Sequence, residues 1–339
     1  MVILGVCNAN DSGSALMVDG IIVSAANEER FVRKKLTREF PKNSIEWVLK
    51  SNGLTIDMVD YVGCGAWNGI DSTTTLPHLI EDIFFHLEHD LQDSKKLIQK
   101  RIRKSINSDV SAKKILFEGL LEMGFNENII ITCDHHYSHA LTAYCCSPFK
   151  DALVFTADGR GDFRSITLWK SDEVTGLELV DFATELDSPG TFYGFITKLL
   201  GFTPSRHEGK ITGLAAAGKM SKAYDILKEG YFFDQDSQLV RSKIGDNYFP
   251  FQSMENKALI ANLKSFSKED IAFAAQEILE EVLLSFLMKH LDEQKENSVN
   301  ICLAGGCFAN VKLNHEIFSL PATKNIYVFP QMGDGGNAL

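Results

Sequence analysis

His135 and His139 stand four residues apart in the segment Cys133-Asp-His-His-Tyr-Ser-His-Ala140, and the residues on either side decide what that spacing means. Asn128–Thr132 (NIIIT) has the apolar, β-branched content of a short buried strand, and Ala140–Cys146 is largely apolar and free of helix breakers. The histidines therefore fall on the first turns of a helix leaving a strand. On a helix, residues i and i+4 share a face with Cβ atoms ~5–6 Å apart, which is how a helix offers two imidazoles to one metal ion. His136 points about 100° away and is not expected to bind the same ion. Two polar helix residues with no ligand would show the same spacing, so the reading depends on what the rest of the chain brings to them.

Four turns elsewhere carry carboxylates or bare backbone. Asn8–Gly13 follows the first strand and contains Asn10 and Asp11; Asp158-Gly-Arg-Gly-Asp162 is an acidic glycine turn; Gly305-Gly306 precedes Asn310 at a helix start; Pro330–Gly336 carries Asp334. Glycines at strand ends let backbone approach a ligand closely, and three such sites point to a nucleotide or similar phosphate ligand. His86 and His89 lie in a charged helical stretch without other ligand types around them and read as surface residues.

The elements that position these turns repeat. Residues 2–7, 14–18 and 21–25 alternate with an acidic turn and the hairpin signal Asp19-Gly20; residues 152–157, 165–170 and 177–184 repeat the order around the Asp158–Asp162 turn and a turn at Gly176. We expect a helix through Asn43–Ser51, a strand at 59–64, a helical insertion over about 70–126, a helix over 188–202 and a long helix over 270–290 begun by Ser267 and Asp270. The stretch His207–Lys219 is too glycine-rich for a helix throughout, and 220–265 reads as a partly irregular subdomain. The boundary between the two units falls at 150/151.

With 339 residues the chain can bury two cores. A net charge of −11 argues against a nucleic-acid surface. One basic run, Lys95–Lys104 with Lys113 and Lys114 near it, could meet an acidic ligand; a solvated helix face is the preferred reading. Seven cysteines form no CxxC pair, which fits a reducing compartment, and no signal-type or membrane-length apolar run is present, so a cytoplasmic location is expected.

Seven motifs in order, ILGVCNANDSGSALMVDG, EERFVRKK, HHYSHA, TADGRGD, EGKITGLAAAGK, LAGGCFANVKLN and GDGGNAL, resemble the N-terminal domain of the O-carbamoyltransferases of the nodulation-protein and antibiotic-tailoring (NodU/CmcH) type over essentially the whole chain. The resemblance implies an α/β, actin-like ATPase (ASKHA) fold of two ribonuclease-H-like lobes related by duplication, 1–150 with the insertion and 151–339 cut in its last helix. It implies metal ligands at His135, His139, Asp158 and Asp334, holding a divalent ion, iron before zinc. Phosphate loops are implied at Gly159, Arg160, Gly161, Gly333 and Gly335, and an adenosine site at Gly305, Gly306 and Asn310. Lys35 matches a lysine placed by the phosphate or carbamoyl group, with Lys210 a further candidate.

The activity implied is transfer of a carbamoyl group from carbamoyl adenylate to a hydroxyl of a small sugar-like or antibiotic-like acceptor. The adenylate is made from ATP and carbamoyl phosphate in a YrdC-like domain, expected in cis or in trans. A homodimer is compatible with this; a membrane or nucleic-acid partner is not expected. The family carries His-Asp in its first turn where this chain has Asn10-Asp11. Asparagine can hydrogen-bond an acceptor but cannot take its proton, which leaves Asp11 as the nearest candidate base. Two other readings keep the nucleotide: an actin-like phosphotransferase, which does not need the H-x-x-x-H, and a non-catalytic nucleotide-binding partner domain.

Overall fold

The computed structural model describes residues 1–89, 93–172, 176–243, 257–291 and 298–339. The first lobe opens with strands β1 (Val2–Cys7), β2 (Gly13–Val18) and β3 (Ile21–Asn27), followed by the short helix α1 (Glu29–Val32), α2 (Lys42–Ser51) and β4 (Tyr61–Cys64). Then come α3 (Thr75–His89), α4 (Asp93–Met123), β5 (Ile130–Thr132) and α5 (His135–Cys145). The second lobe has β6 (Leu153–Gly161), β7 (Arg164–Asp172), β8 (Gly176–Thr184), α6 (Pro189–Leu199), α7 (Glu208–Ala215), α8 (Lys222–Lys228), β9 (Tyr231–Asp234) and β10 (Leu239–Ser242). It continues through α9 (Lys257–Leu263), α10 (Lys268–Leu291), β11 (Val299–Ala304), α11 (Val311–Ser319) and β12 (Thr323–Val328) to a 3₁₀ turn at Asp334–Ala338.

The duplication expected from element order is present in the pairing. One sheet runs β3-β2-β1-β4-β5 and the other β8-β7-β6-β11-β12. In each, the first three strands are antiparallel and the last two add in parallel, with Leu4 facing both Leu16 and Val62, and Phe155 facing both Leu168 and Leu303. Strand β6 is buried on both faces, so its apolar run need not alternate with polar residues. Leu153, Phe155 and Ala157 pack toward α6, α10 and α11, while Val154 packs toward α5. Phe155 stacks on Phe286 of α10 at 5.8 Å between ring centroids. Helix α5 follows the first sheet in the chain yet lies against the second, with Ala140 and Ala143 beside Cys302 and Ala304. Helix α10 begins where expected, the Ser267 hydroxyl capping the Asp270 amide at 3.0 Å.

As expected, the His207–Lys219 stretch is not helical throughout: α7 ends at Ala215, with Ile211 and Ala215 buried in the second core. Two expectations change. His86 is not on the surface: it is buried, with Nε2 3.4 Å from the Asp187 carboxylate. The basic run on α4 is only partly solvated. Arg101 is buried 3.6 Å from Glu185, and Lys100 and Lys104 line a cavity between the lobes. The reason is shared: α3 and α4 cross from the first lobe and pack on the second, Leu79 and Ile98 meeting Phe163 and Leu186. Buried charges hold the contact, Arg241 to Asp82 at 2.6 Å and the Ser105 hydroxyl to Glu185 at 2.6 Å. The His89 side chain and residues 244–256 lie outside the described residues, as do 173–175, just before Gly176.

Candidate metal centre between two cavities

Helix α5 starts where Asp134 caps it, its carboxylate accepting from the Tyr137 amide at 2.8 Å. His135, the first residue of α5, and His139, one turn on, present their rings with centroids 4.7 Å apart, and both are almost wholly buried. Opposite them sit Asp158, from the end of β6, and Asp334, from the 3₁₀ turn. His135 Nε2 lies 3.7 Å from Asp158 Oδ2 and 3.5 Å from Asp334 Oδ1; His139 Nε2 lies 3.4 and 3.5 Å from the same two atoms. One ligand atom from each of the four residues lies within 4.8 Å of every other.

The donors are aimed as a metal site requires. Both Nε2 atoms are buried without a hydrogen-bond partner. Each carboxylate has its other oxygen held by a backbone amide, Asp158 Oδ1 by Gly159 N at 2.5 Å and Asp334 Oδ2 by Asn10 N at 3.0 Å. Two imidazoles and two carboxylate oxygens converging on one point fit a divalent transition metal, and orphaned nitrogens there are otherwise costly. Supporting contacts fix the ring of His135: its Nδ1 lies 3.4 Å from Asn337 Nδ2, and its amide donates to Asp162 Oδ2 at 2.9 Å. Without an ion a proton compensates the carboxylates. Burial pushes the His135 pKa down, but Asp158, Asp334 and Asp162 outweigh it and raise it to about 9. Burial likewise works to raise Asp158, yet the two histidines hold it well below the usual carboxylate range. His136 stands apart as expected, its Nδ1 bonded to Thr156 Oγ1 at 2.7 Å and its pKa lowered by burial and by the neighbouring histidines.

Two cavities meet at this cluster, both lined by Asn10, Asp158, Gly159 and Asp334. The larger, about 700 Å³, is walled by α4, with Arg38, Trp67 and Arg160 completing it. The smaller, about 380 Å³, is lined in the second lobe by Gly190, Gly209, Gly306, Cys307, Asn310 and Gly333 among others.

The remaining sequence-derived residues divide between these walls and other work. Gly159 faces open space, as a ligand-cradling glycine should. Gly161 does not: a Cβ there would meet the His135 ring at 2.0 Å, so this glycine makes room for the histidine and lies outside both cavity walls. Arg160 turns into the larger cavity, bound to Asp109 (Nη1 to Oδ2 3.1 Å) and to Glu185 at 3.4 Å. Gly305, at φ 94°, crosses β6, where a Cβ would lie 2.3 Å from the Ala157 carbonyl oxygen; Gly306 beside it lines the smaller cavity. Asn310 lines the same cavity while capping α11 and bonding Gln276 at 2.8 Å. Gly333 is on that wall, and Gly335 is buried behind it against Gln331. Asp11 lines only the smaller cavity. Burial, Glu29 and Asp334 raise its carboxyl. Lys35 and Lys210 are exposed and line neither cavity; Lys210 sits over the Phe202 ring at 5.1 Å.

Sequence reasoning did not single out Arg38, whose Nε donates to Asn10 Oδ1 at 2.7 Å, or Asn337. Nor did it assign Lys100 and Lys104 to the cleft, although their i, i+4 spacing was the available signal.

Among solved structures, the chain superposes on a dehydratase component, the Acidaminococcus fermentans (R)-2-hydroxyglutaryl-CoA dehydratase component A, with a TM-score of 0.50 and 12% identity, covering 100% of this chain and 95% of that one. It matches T. kodakarensis HypF with a TM-score of 0.51 at 12% identity, covering 99% of this chain and 46% of that one. These likenesses show the fold, which is actin-like. An uncharacterized Methanocaldococcus jannaschii protein is 31% identical over 99% of this chain and 56% of its own length. One from Synechocystis sp. is 29% identical over 97% and 54%, and the nodulation protein NolNO of Sinorhizobium fredii 26% over 97% and 45%. The chain thus spans about half the length of the curated relatives it matches. No helix among the described residues is long and apolar enough to cross a membrane. A family model described as "Carbamoyltransferase N-terminus" matches residues 2–339, and the chain belongs to that family.

Proposed function

We propose that this chain is the acceptor half of an O-carbamoyltransferase, moving a carbamoyl group from carbamoyl adenylate to an alcohol. One observation carries the reading: the four-residue cluster lies where two cavities of different size meet, so two ligands placed in them would touch at the cluster. The smaller cavity has room for a nucleoside, with glycine backbone along its wall. The larger one would take the acceptor. A divalent ion held by His135, His139, Asp158 and Asp334, iron in our reading, would supply Lewis acidity toward a phosphoryl or carbamoyl oxygen.

The residues do the rest. Acceptor oxygen attacks the carbamoyl carbon, a C–O bond forms, the anhydride C–O bond breaks, and AMP leaves with the bonding pair. Asn10 lines both cavities, and its side-chain oxygen, tied to Arg38, can orient the acceptor but cannot deprotonate it. In this scheme Asp11 takes the acceptor proton from the smaller-cavity side, less directly than a base at position 10, which lines both cavities, would. A YrdC-like domain, in cis or in trans, would supply the adenylate from ATP and carbamoyl phosphate.

The test is a single-turnover assay of the metal-loaded chain with synthetic carbamoyl adenylate, with and without alcohols. Alcohol-dependent AMP release that disappears in His139→Ala is expected. Release that ignores both alcohol and the histidine overturns the proposal.

A further inference from the structure

Trp67, just beyond β4, has φ 66°, a left-handed conformation that a bulky residue keeps only when its surroundings hold it there. The holding groups are in place. The indole Nε1 donates to Asn8 Oδ1 at 2.5 Å, and the Asn8 amide nitrogen donates in turn to the Ala112 carbonyl of α4 at 2.9 Å. On the other side of the loop, the Gly69 amide donates to Asp162 Oδ1 at 2.8 Å, and Thr132 Oγ1 donates to Asn68 Oδ1 at 2.9 Å. One residue, Asn8, therefore sets both the indole and the α4 wall. The ring packs on Cys7, Ala9 and Ala338, yet it stays partly exposed and lines the larger cavity. It is the only Phe, Tyr or Trp among the described residues lining either side of the cluster except Tyr193, which lines the smaller cavity.

The use of the ring nitrogen decides what the indole can offer a ligand. Its one hydrogen-bond donor is spent on Asn8, so a ligand in the cavity meets hydrocarbon and π surface alone. Such a surface favours a flat or rigid ring with an apolar face over a flexible chain, which must lose more conformational freedom to lie on it. We infer that Trp67 positions the acceptor, and that the acceptor is a ring alcohol whose C–H face lies on the indole while its hydroxyl reaches the cluster. This rests on the assignment of the larger cavity to the acceptor.

The experiment titrates the full 339-residue chain, zinc-loaded, with methyl β-D-glucopyranoside and with open-chain glucitol, read by calorimetry and by tryptophan emission. The pyranoside should bind about 10-fold tighter than glucitol and shift the emission. Of the other two tryptophans, Trp47 and Trp169, neither lines a cavity. Trp67→Phe should keep most of the preference and lose the emission shift, and Trp67→Ala should erase the preference. Zinc content and ADP affinity should stay unchanged in both variants, since Trp67 touches neither the four donors nor the smaller cavity wall. In single-turnover transfer from carbamoyl adenylate, Trp67→Ala should raise the half-saturating pyranoside concentration about 10-fold and leave the saturated rate within a few-fold.

Equal affinity for the two alcohols, a preference that survives Trp67→Ala, or an emission shift that survives Trp67→Phe overturns the inference. Where Trp67→Ala fails to fold, the emission arm with Trp67→Phe still decides. An emission shift produced by ADP alone, with ADP excluding the pyranoside, would mean that the indole holds the nucleobase, which also overturns it. A pyranoside that binds on Trp67 without alcohol-dependent AMP release upholds the indole as the ring's platform and counts against the transfer reading instead.

Discussion

The two cavities that share the cluster of His135, His139, Asp158 and Asp334 are made of different materials. The smaller is a wall of backbone: Gly159, Gly190, Gly209, Gly306 and Gly333 line it, with carboxylates at Asp11 and Glu208. The larger is a wall of long side chains, most of them cationic and carried by one helix. Backbone recognises shape and is hard to change by substitution, whereas exposed lysines recognise charge and change readily. On the proposed reading, a fixed ligand and a variable one lie on opposite sides of the four-residue cluster. Asn10 belongs to both sides, as do Gly159, Ser205 and the two cluster carboxylates, and Asp109 sits behind only one.

The sharpest way to disturb this arrangement is at the shared residue. Asn10→His restores a group that can accept a proton between the cavities, and transfer to an alcohol should rise by about 10²–10⁴, the usual contribution of a positioned base. Single-turnover AMP release measures it. An unchanged rate, with chemistry limiting, would leave Asp11 as the base and move proton removal to the smaller-cavity side.

A smaller effect is expected where the cluster is braced. Asn337→Ala removes the group beside His135 Nδ1 without touching any of the four donors. Metal affinity should fall by roughly 10–100-fold, the common cost of losing a supporting partner. Competition with a chelator reads this directly.

The smallest effect is a pH dependence confined to the larger cavity. Burial raises the Asp109 carboxyl to about 7, with Glu185 and Asp162 adding to it and Arg160 and His135 opposing. Below that value Asp109 is neutral and leaves more positive charge on the wall; above it the carboxylate cancels part of Arg160. Asp109→Asn fixes the wall at the charge it has at low pH. The same proton bears on stability. A folded-state pKa above the unfolded one stabilises the fold fully below the unfolded value and is lost as pH rises through about 7. The thermal midpoint should therefore fall between pH 6 and 8 and Asp109→Asn should flatten the change; equal pH profiles for the two proteins would mean that Asp109 is ionised throughout that range.

Local pattern carried much of this site and little of its surroundings. The H-x-x-x-H on α5, the carboxylates in the turns at Asp158 and Asp334, and the duplicated strand order could all be read from neighbouring residues, because helix and strand periods are short-range facts. The role of Gly161 could not. What it accommodates is the ring of His135, which approaches from another element. His86 and Arg101 read as surface for the same reason: Asp187 and Glu185, their burying partners, lie far along the chain in the second lobe. A glycine or a charged helix face records that something must fit or be met, without saying what. Lys35 and Lys210 show the converse, since motif position alone placed them near phosphates and the fold leaves both outside the cavity walls.

Helix α4 supplies much of the larger cavity and none of the metal donors. Its anchors to the second lobe, Arg101 to Glu185 and Asp109 to Arg160, occupy positions distinct from Lys100, Lys104, Ser108 and Ser111. Residues facing the cleft can therefore be exchanged while the anchors and the reactive centre stay as they are. With the acceptor in the larger cavity, as proposed, its choice becomes a heritable trait of one segment, open to change by a few codons. For an engineer, it marks four positions as the place to build a library.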